Sequence, residues 1–373
     1  MTSEFVSPAY QERSLGDVLP AVGHAMGVDA GLPETALALP RGDRFVVFLI
    51  DGLGYELLRD NEGRAPYLHS LLDGQPAATV GVPTTTATSL TSLGTGLPPG
   101  LHGVVGYTSR IPGTNRLLNA LAWDKHIDPV VWQPHPTAFE RLAGAGVRTT
   151  VVNKREFAGS GLTVAGQRGA DFVGADRYGE RLAAVLAASS TAPSLTYIYD
   201  GDLDWTGHRY GVDSVQWAEQ LSMIDVATEH LRATLPPEVR LVVVADHGMV
   251  DSAPEDRVDI DDFPQLREGV ALLGGEARLR HLYCHGRAVN DVVATWRSQL
   301  EKQASVLTRD EALALGWFGE VAADVRLRIG DVVVACHDSF AVQSRSAFPH
   351  EAKLVGLHGS LTPAEMLIPL LVT

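Results

Sequence analysis

Short apolar runs that break off at polar loops constrain this chain more than any other feature. "FVVFLI" at 45–50 stops at Asp51, "SLTYIYD" at 194–200 runs into Gly201, and "VRLVVVAD" at 239–246 is followed by His247. "RTTVVN" at 148–153 and "LIPLLV" at 367–372 share the texture. Runs of this length, rich in β-branched residues and bounded by glycine or polar residues, read as strands buried on both faces. Helical patterns lie between them, as in "PTAFERLAGAG" at 136–146 and "DRYGERLAAVLAAS" at 176–189. This alternation predicts an α/β fold with a mainly parallel central sheet and helices on both faces.

From about 255 to 345 the pattern changes. "ARLRHLYCHG" reads as a strand, "AVNDVVATWRSQLEKQ" as an amphipathic helix, and "ASVLTRDEALALG" as a strand followed by a short helix. The expected division is therefore an α/β core of 1–254 with 346–373, and an α+β insertion or cap of 255–345. Insertions of this kind commonly cover a substrate entrance.

Composition limits the function classes. The formal charge of −15 and the lack of any Lys/Arg run argue against a nucleic-acid surface. No apolar run reaches the ~18 residues of a membrane span. The N-terminal residues lack a basic segment followed by an apolar one, so no signal peptide is expected and the protein is read as cytoplasmic. Cys284 and Cys336 match no metal or redox spacing and read as buried free thiols, with a disulfide as the alternative.

Chemistry collects just past the carboxyl ends of strands in an open α/β sheet. There the sequence places Asp51, then Asp204 and His208 in "DGDLDWTGHRYG", then Asp246 and His247 in "ADHGM", and late in the chain His358 in "GLHGS". Each alone could cap a helix or sit in a turn. Together, three carboxylates and three imidazoles are a ligand set suited to zinc and neighbouring ions. In "VPTTTATSLTSLGTG", Leu90, Leu93 and Leu97 follow helical spacing, so a helix is expected to start near Thr86. Its first turn would offer free N–H groups to a phosphate. Metal coordination would turn a threonine hydroxyl into a nucleophile.

The order Asp-Gly, Pro-x-x-Thr, Thr-Gly, His-Gly, Asp-x-x-Gly-His, Asp-His-Gly and a late His-Gly resembles the alkaline phosphatase superfamily, and within it the nucleotide pyrophosphatases/phosphodiesterases. The resemblance implies two divalent metal ions, zinc foremost, with manganese or another transition ion as the alternative. One would be held by Asp51, Asp246, His247 and Thr86. The other would be held by Asp204, His208 and His358, with Asp51 or Asp246 near both. It also implies Thr86 as the nucleophile, because Thr86 stands nine residues before Thr95-Gly96. His102 matches a family position but is read as a turn residue.

Two asparagines usual in the family are replaced here by Ser89 and Tyr107, which become the expected phosphoryl contacts. Trp205, lying between Asp204 and His208, is the aromatic expected against a base or sugar. The implied activity is metal-dependent hydrolysis of a phosphoric ester through a phospho-threonine. The substrate would be a small phosphate ester such as a nucleotide. Phosphomonoesterase, phosphonate hydrolase and phosphomutase activities share the core and stay open. So does a non-catalytic metal-binding protein.

Overall fold

The computed structural model describes residues 5–373. Six strands form the central sheet in the order Leu370–Val372, Arg240–Val244, Arg44–Ile50, Ser194–Asp200, Arg148–Asn153 and Asp171–Gly174. All pair in parallel except Leu370–Val372, which closes one edge antiparallel to Arg240–Val244. Phe45 to Ile50 are buried without a break, as a strand covered on both faces requires.

The runs read at 148–153 and 194–200 form strands with those bounds. The run at 239–246 is shorter, Arg240–Val244, which leaves Asp246 and His247 free in the loop beyond. The run at 367–372 is not one strand. Pro369 divides it, since proline carries no N–H for a ladder. Leu367–Ile368 pairs with Ala78–Thr79, and Leu370–Val372 joins the main sheet. Among the elements that escaped the sequence reading are the short edge strand Asp171–Gly174, the helices Val18–Met26 and Val215–Thr234, and the strands Val270–Glu276 and Val332–Cys336.

A second, antiparallel sheet has the order Val270–Glu276, Leu279–Cys284, Val332–Cys336 and Ala304–Thr308. It has its own core, where Trp296 from the helix Val289–Leu300 packs with Leu282, Val334 and Val306. Two buried ion pairs tie this sheet to the last part of the chain. Arg278 grips Glu365 at 2.6 Å, and Arg280 pairs with Glu351. Cys284 and Cys336 are both free thiols. No helix of the described residues is long and apolar enough to cross a membrane.

Candidate metal centre

The parallel register aligns the strand ends. Ile50 lies opposite Asp200 and Leu49 opposite Val244, so the loops that follow all leave from one rim of the sheet. Gly52 explains why glycine follows Asp51. Its φ of +76° suits a residue without Cβ, and a Cβ there would sit 3.1 Å from the Cα of Asp204. Its N–H donates to Asp246 Oδ1 at 3.1 Å, joining the first and third motifs.

The helix Asp202–Tyr210 puts Asp204 and His208 one turn apart on one face. His208 in turn holds the late loop, because its Nδ1 meets Gly356 O at 2.8 Å and its carbonyl accepts the Val355 N–H. A two-residue pairing of Gly356–Leu357 with Val250–Asp251 then sets His358 beside His247, their rings stacked at 3.7 Å. The Thr84 hydroxyl donates to Ser360 O and accepts the Gly359 N–H, fastening this loop to the threonine segment. The helix there begins at Thr86 and runs to Thr95, with extended Thr85 as its N-cap.

What these contacts assemble is a cluster of acceptors. The Nδ1 atoms of His208, His247 and His358 face the carbonyls of Gly356, Gly248 and Thr84 at 2.8, 3.0 and 2.7 Å. A carbonyl only accepts, so each Nδ1 carries a proton, and in the neutral ring that a metal ligand requires Nε2 is left as a lone pair. Yet His208 Nε2 and His358 Nε2 face each other at 3.2 Å. Around them, Asp51 Oδ1, Asp204 Oδ1 and Asp246 Oδ2 are buried with no hydrogen-bond partner. Lone pairs this close repel unless cations lie among them. The donor set therefore fits metal ions: two groups, Asp204 with His208 and His358, and Asp51 with Asp204 and His247, each have ligand atoms within 4.8 Å of one another. Asp246 Oδ2 lies 3.5 Å from His247 Nε2. The carboxylate common to both groups is Asp204, where Asp51 or Asp246 had been expected.

The electrostatics agree. Burial, and then the charges of Asp246 and Asp204, push the Asp51 carboxyl well above the usual range. Asp246 is also raised, chiefly by burial. His358 is pushed well down by burial and by its neighbours His247 and His208. Thr86 Oγ1 stands 3.3 Å from His247 Nε2 and 3.5 Å from Asp51 Oδ2, at the edge of the cluster.

A cavity of about 250 Å³ opens over this edge, lined by Thr86, Asp204, His208 and His358 on one side and by Tyr107 and Glu276 on the other. The Tyr107 hydroxyl accepts from Asn119 Nδ2 at 2.7 Å, which leaves its own proton to donate. Burial raises its pKa, so that proton is retained at neutral pH. Ser89 departs from expectation: it is wholly buried, lies outside the cavity lining, and donates to the Asp246 carbonyl at 2.7 Å. Its hydroxyl is committed to the Asp246 backbone and does not reach the cavity. Trp205 also lies outside the lining; it is 58% exposed and packs edge-on to Tyr210 under Arg209. His102 is buried against Ser92 Oγ at 2.9 Å, away from the cluster.

Two residues at the site had no sequence signal. The Tyr199 hydroxyl donates a very short hydrogen bond to Asp51 Oδ2, yet in sequence Tyr199 is one more strand aromatic. Glu276 closes a strand of the second sheet without any motif around it.

Sheet order and rim site together define a mainly parallel α/β protein with a candidate metal centre at the carboxyl ends of its strands. The chain belongs to the type I phosphodiesterase / nucleotide pyrophosphatase family, whose model matches residues 45–361. Solved structures share the fold. Murine ectonucleotide pyrophosphatase / phosphodiesterase 5 aligns with a TM-score of 0.68 at 18% identity, over 88% of this chain and 87% of that one. An inactive form of that protein has been solved in complex with AMP. Phosphonoacetate hydrolase from Sinorhizobium meliloti 1021, in complex with phosphonoformate, aligns with a TM-score of 0.64 at 18% identity, over 88% and 89%. Among curated sequences, human ectonucleotide pyrophosphatase/phosphodiesterase family member 7 is 35% identical over 79 residues. That match spans 19% of this chain and 17% of the relative. The rat counterpart is 32% identical over 80 residues, 20% of this chain and 18% of its own length.

Proposed function

We propose that the protein is a two-metal phosphoric ester hydrolase, of phosphodiesterase/nucleotide pyrophosphatase type, with Thr86 as its nucleophile. The observation that carries this reading is the acceptor-only cluster: three imidazole lone pairs and three unpartnered carboxylate oxygens beside one alcohol. Divalent ions there, zinc foremost, would lower the pKa of the alcohol and neutralise charge growing on the phosphoryl oxygens.

The residues would divide the work as follows. Thr86 Oγ attacks phosphorus as its proton passes to solvent, the bond to the departing alcohol breaks, and that alkoxide takes a proton from water. Water then cleaves the phospho-threonine and restores Thr86. The free N–H groups in the first turn of the helix Thr86–Thr95 and the Tyr107 hydroxyl would hold phosphoryl oxygens. Tyr199 and Ser89 keep Asp51 and Asp246 in place. A cytoplasmic setting belongs to the same reading and is supported by the two free thiols.

The test is metal analysis of the purified protein together with hydrolysis of bis-p-nitrophenyl phosphate. Thr86→Ala should lose about 10³-fold or more in kcat, and Thr86→Ser should keep measurable turnover. Full activity in Thr86→Ala, alongside loss in Asp246→Ala, would sink the nucleophile assignment.

A further inference from the structure

The far wall of the cavity comes from the second sheet and the loop before His358, and its charge pattern is unlike that of the metal rim. Among the described residues no lysine or arginine lines the cavity, whereas Glu276 and Glu351 both do. The two carboxylates differ in partners. Glu351 is matched by Arg280. Glu276 forms no ion pair with any lysine or arginine; its nearest basic atom is His358 Nδ1, 4.0 Å from Oε2, and that nitrogen already donates to Thr84 O.

Glu276 is 94% buried and its Oε1 has no hydrogen-bond partner, although the Thr85 hydroxyl, the Tyr107 backbone and the Arg280 charge all favour its ionised form. Such a group is costly unless a ligand completes it. Its placement is specific: Gly359, with φ +134°, is the residue it packs on, and a Cβ there would come within 2.7 Å of Glu276 Cγ.

We propose that Glu276 determines specificity, selecting phosphate esters whose retained alcohol carries an ammonium or hydroxyl hydrogen-bond donor a few atoms from phosphorus. This inference rests on the phosphoester reading above and narrows its substrate class. Burial pushes the Glu276 carboxyl up to about 8, and an ammonium donor beside Oε1 would favour its charged form and make a charge-assisted hydrogen bond with it. By contrast, a substrate extended by further phosphates would meet Glu276 and Glu351 across a lining that holds no lysine or arginine to receive the added anions. A quaternary ammonium, which has charge but no donor, would satisfy Oε1 poorly.

Esters that share p-nitrophenol as leaving group, and differ only in the retained half, isolate this contact. The zinc-loaded enzyme should show kcat/KM about tenfold or more higher for 2-aminoethyl p-nitrophenyl phosphate than for the ethyl ester. The p-nitrophenyl ester of phosphorylcholine should resemble the ethyl ester. Glu276→Ala should bring the aminoethyl-to-ethyl ratio below about threefold, and Glu276→Gln should leave it in between. A wild-type ratio near one, or a ratio unchanged in both variants, overturns the proposal. Calorimetry of Thr86→Ala with the same two esters reads the preference without turnover. A wild type that cleaves none of these esters would defeat the hydrolase reading. The binding ratio would still decide the role of Glu276, equal affinities overturning it.

Discussion

The two walls of the cavity solve opposite electrostatic problems. On the parallel-sheet rim, Asp51, Asp204, Asp246 and three imidazole lone pairs converge with no cationic side chain among them. On the side of the second sheet, buried carboxylates are matched within the protein: Glu365 by Arg278, both fully buried, and Glu351 by Arg280. A rim left uncompensated is a site for ions. A compensated wall is scaffold, and in it Glu276 has no lysine or arginine within ion-pair distance. The contrast teaches how to separate function from structure among buried charges: the functional ones are those the protein itself leaves unanswered.

Breaking the scaffold side should have the largest effect on stability. Arg278→Met strands Glu365, which also accepts from the Ser360 N–H and the Thr362 hydroxyl. A loss of about 3–5 kcal/mol in urea denaturation is expected. Adding Glu365→Leu should recover much of it. Equal losses in the single and double variants would refute the matched-pair view.

On the rim the sign should reverse. Zinc at about 100 times its dissociation constant should stabilise the wild type by about 2.7 kcal/mol. Asp51→Asn should raise the melting temperature of the metal-free protein while shrinking the gain from zinc. A metal-free Asp51→Asn protein less stable than the metal-free wild type would argue against an uncompensated rim.

Acid tests both halves through buried histidines. Burial pushes His102, beneath the helix Thr86–Thr95, to about 3, and His281, on the second sheet, to about 4. His281 Nδ1 accepts the Gly330 N–H while Nε2 donates to Val105 O, a pairing only the neutral ring can make. The unfolded chain, with histidine near pH 6.5, binds more protons than the folded chain below that pH. Stability is therefore complete above about 6.5 and falls by about 1.4 kcal/mol per pH unit for each ring as pH drops toward 4. Urea midpoints should show a shallower acid slope in His281→Gln. The smallest effect is expected at Trp205: exposed and outside the cavity, Trp205→Ala should change stability by under about 0.5 kcal/mol and turnover by under about twofold.

Much of this was readable in the chain. Core strands buried on both faces announce themselves as unbroken β-branched runs, which is why 148–153 and 194–200 match the structure. The edge strand Asp171–Gly174 is half exposed and only four residues long, so no such run marks it. Ser89 was expected at the substrate because it stands where the family usually has asparagine, but its short side chain is spent on the buried Asp246 carbonyl. Glu276 was invisible because its meaning depends on Gly359 and His358, eighty residues away.

Sequence alone determined the chemistry available: carboxylates, imidazoles and a threonine placed at strand and helix ends, because local propensity and residue type are encoded within a few positions. Tertiary structure decided who meets whom. Strand register and the short pairing of Gly356–Leu357 with Val250–Asp251 made Asp204 common to both groups of candidate ligands, turned Ser89 inward and brought Glu276 to the cavity. Those outcomes are distances between remote segments, and only packing sets them.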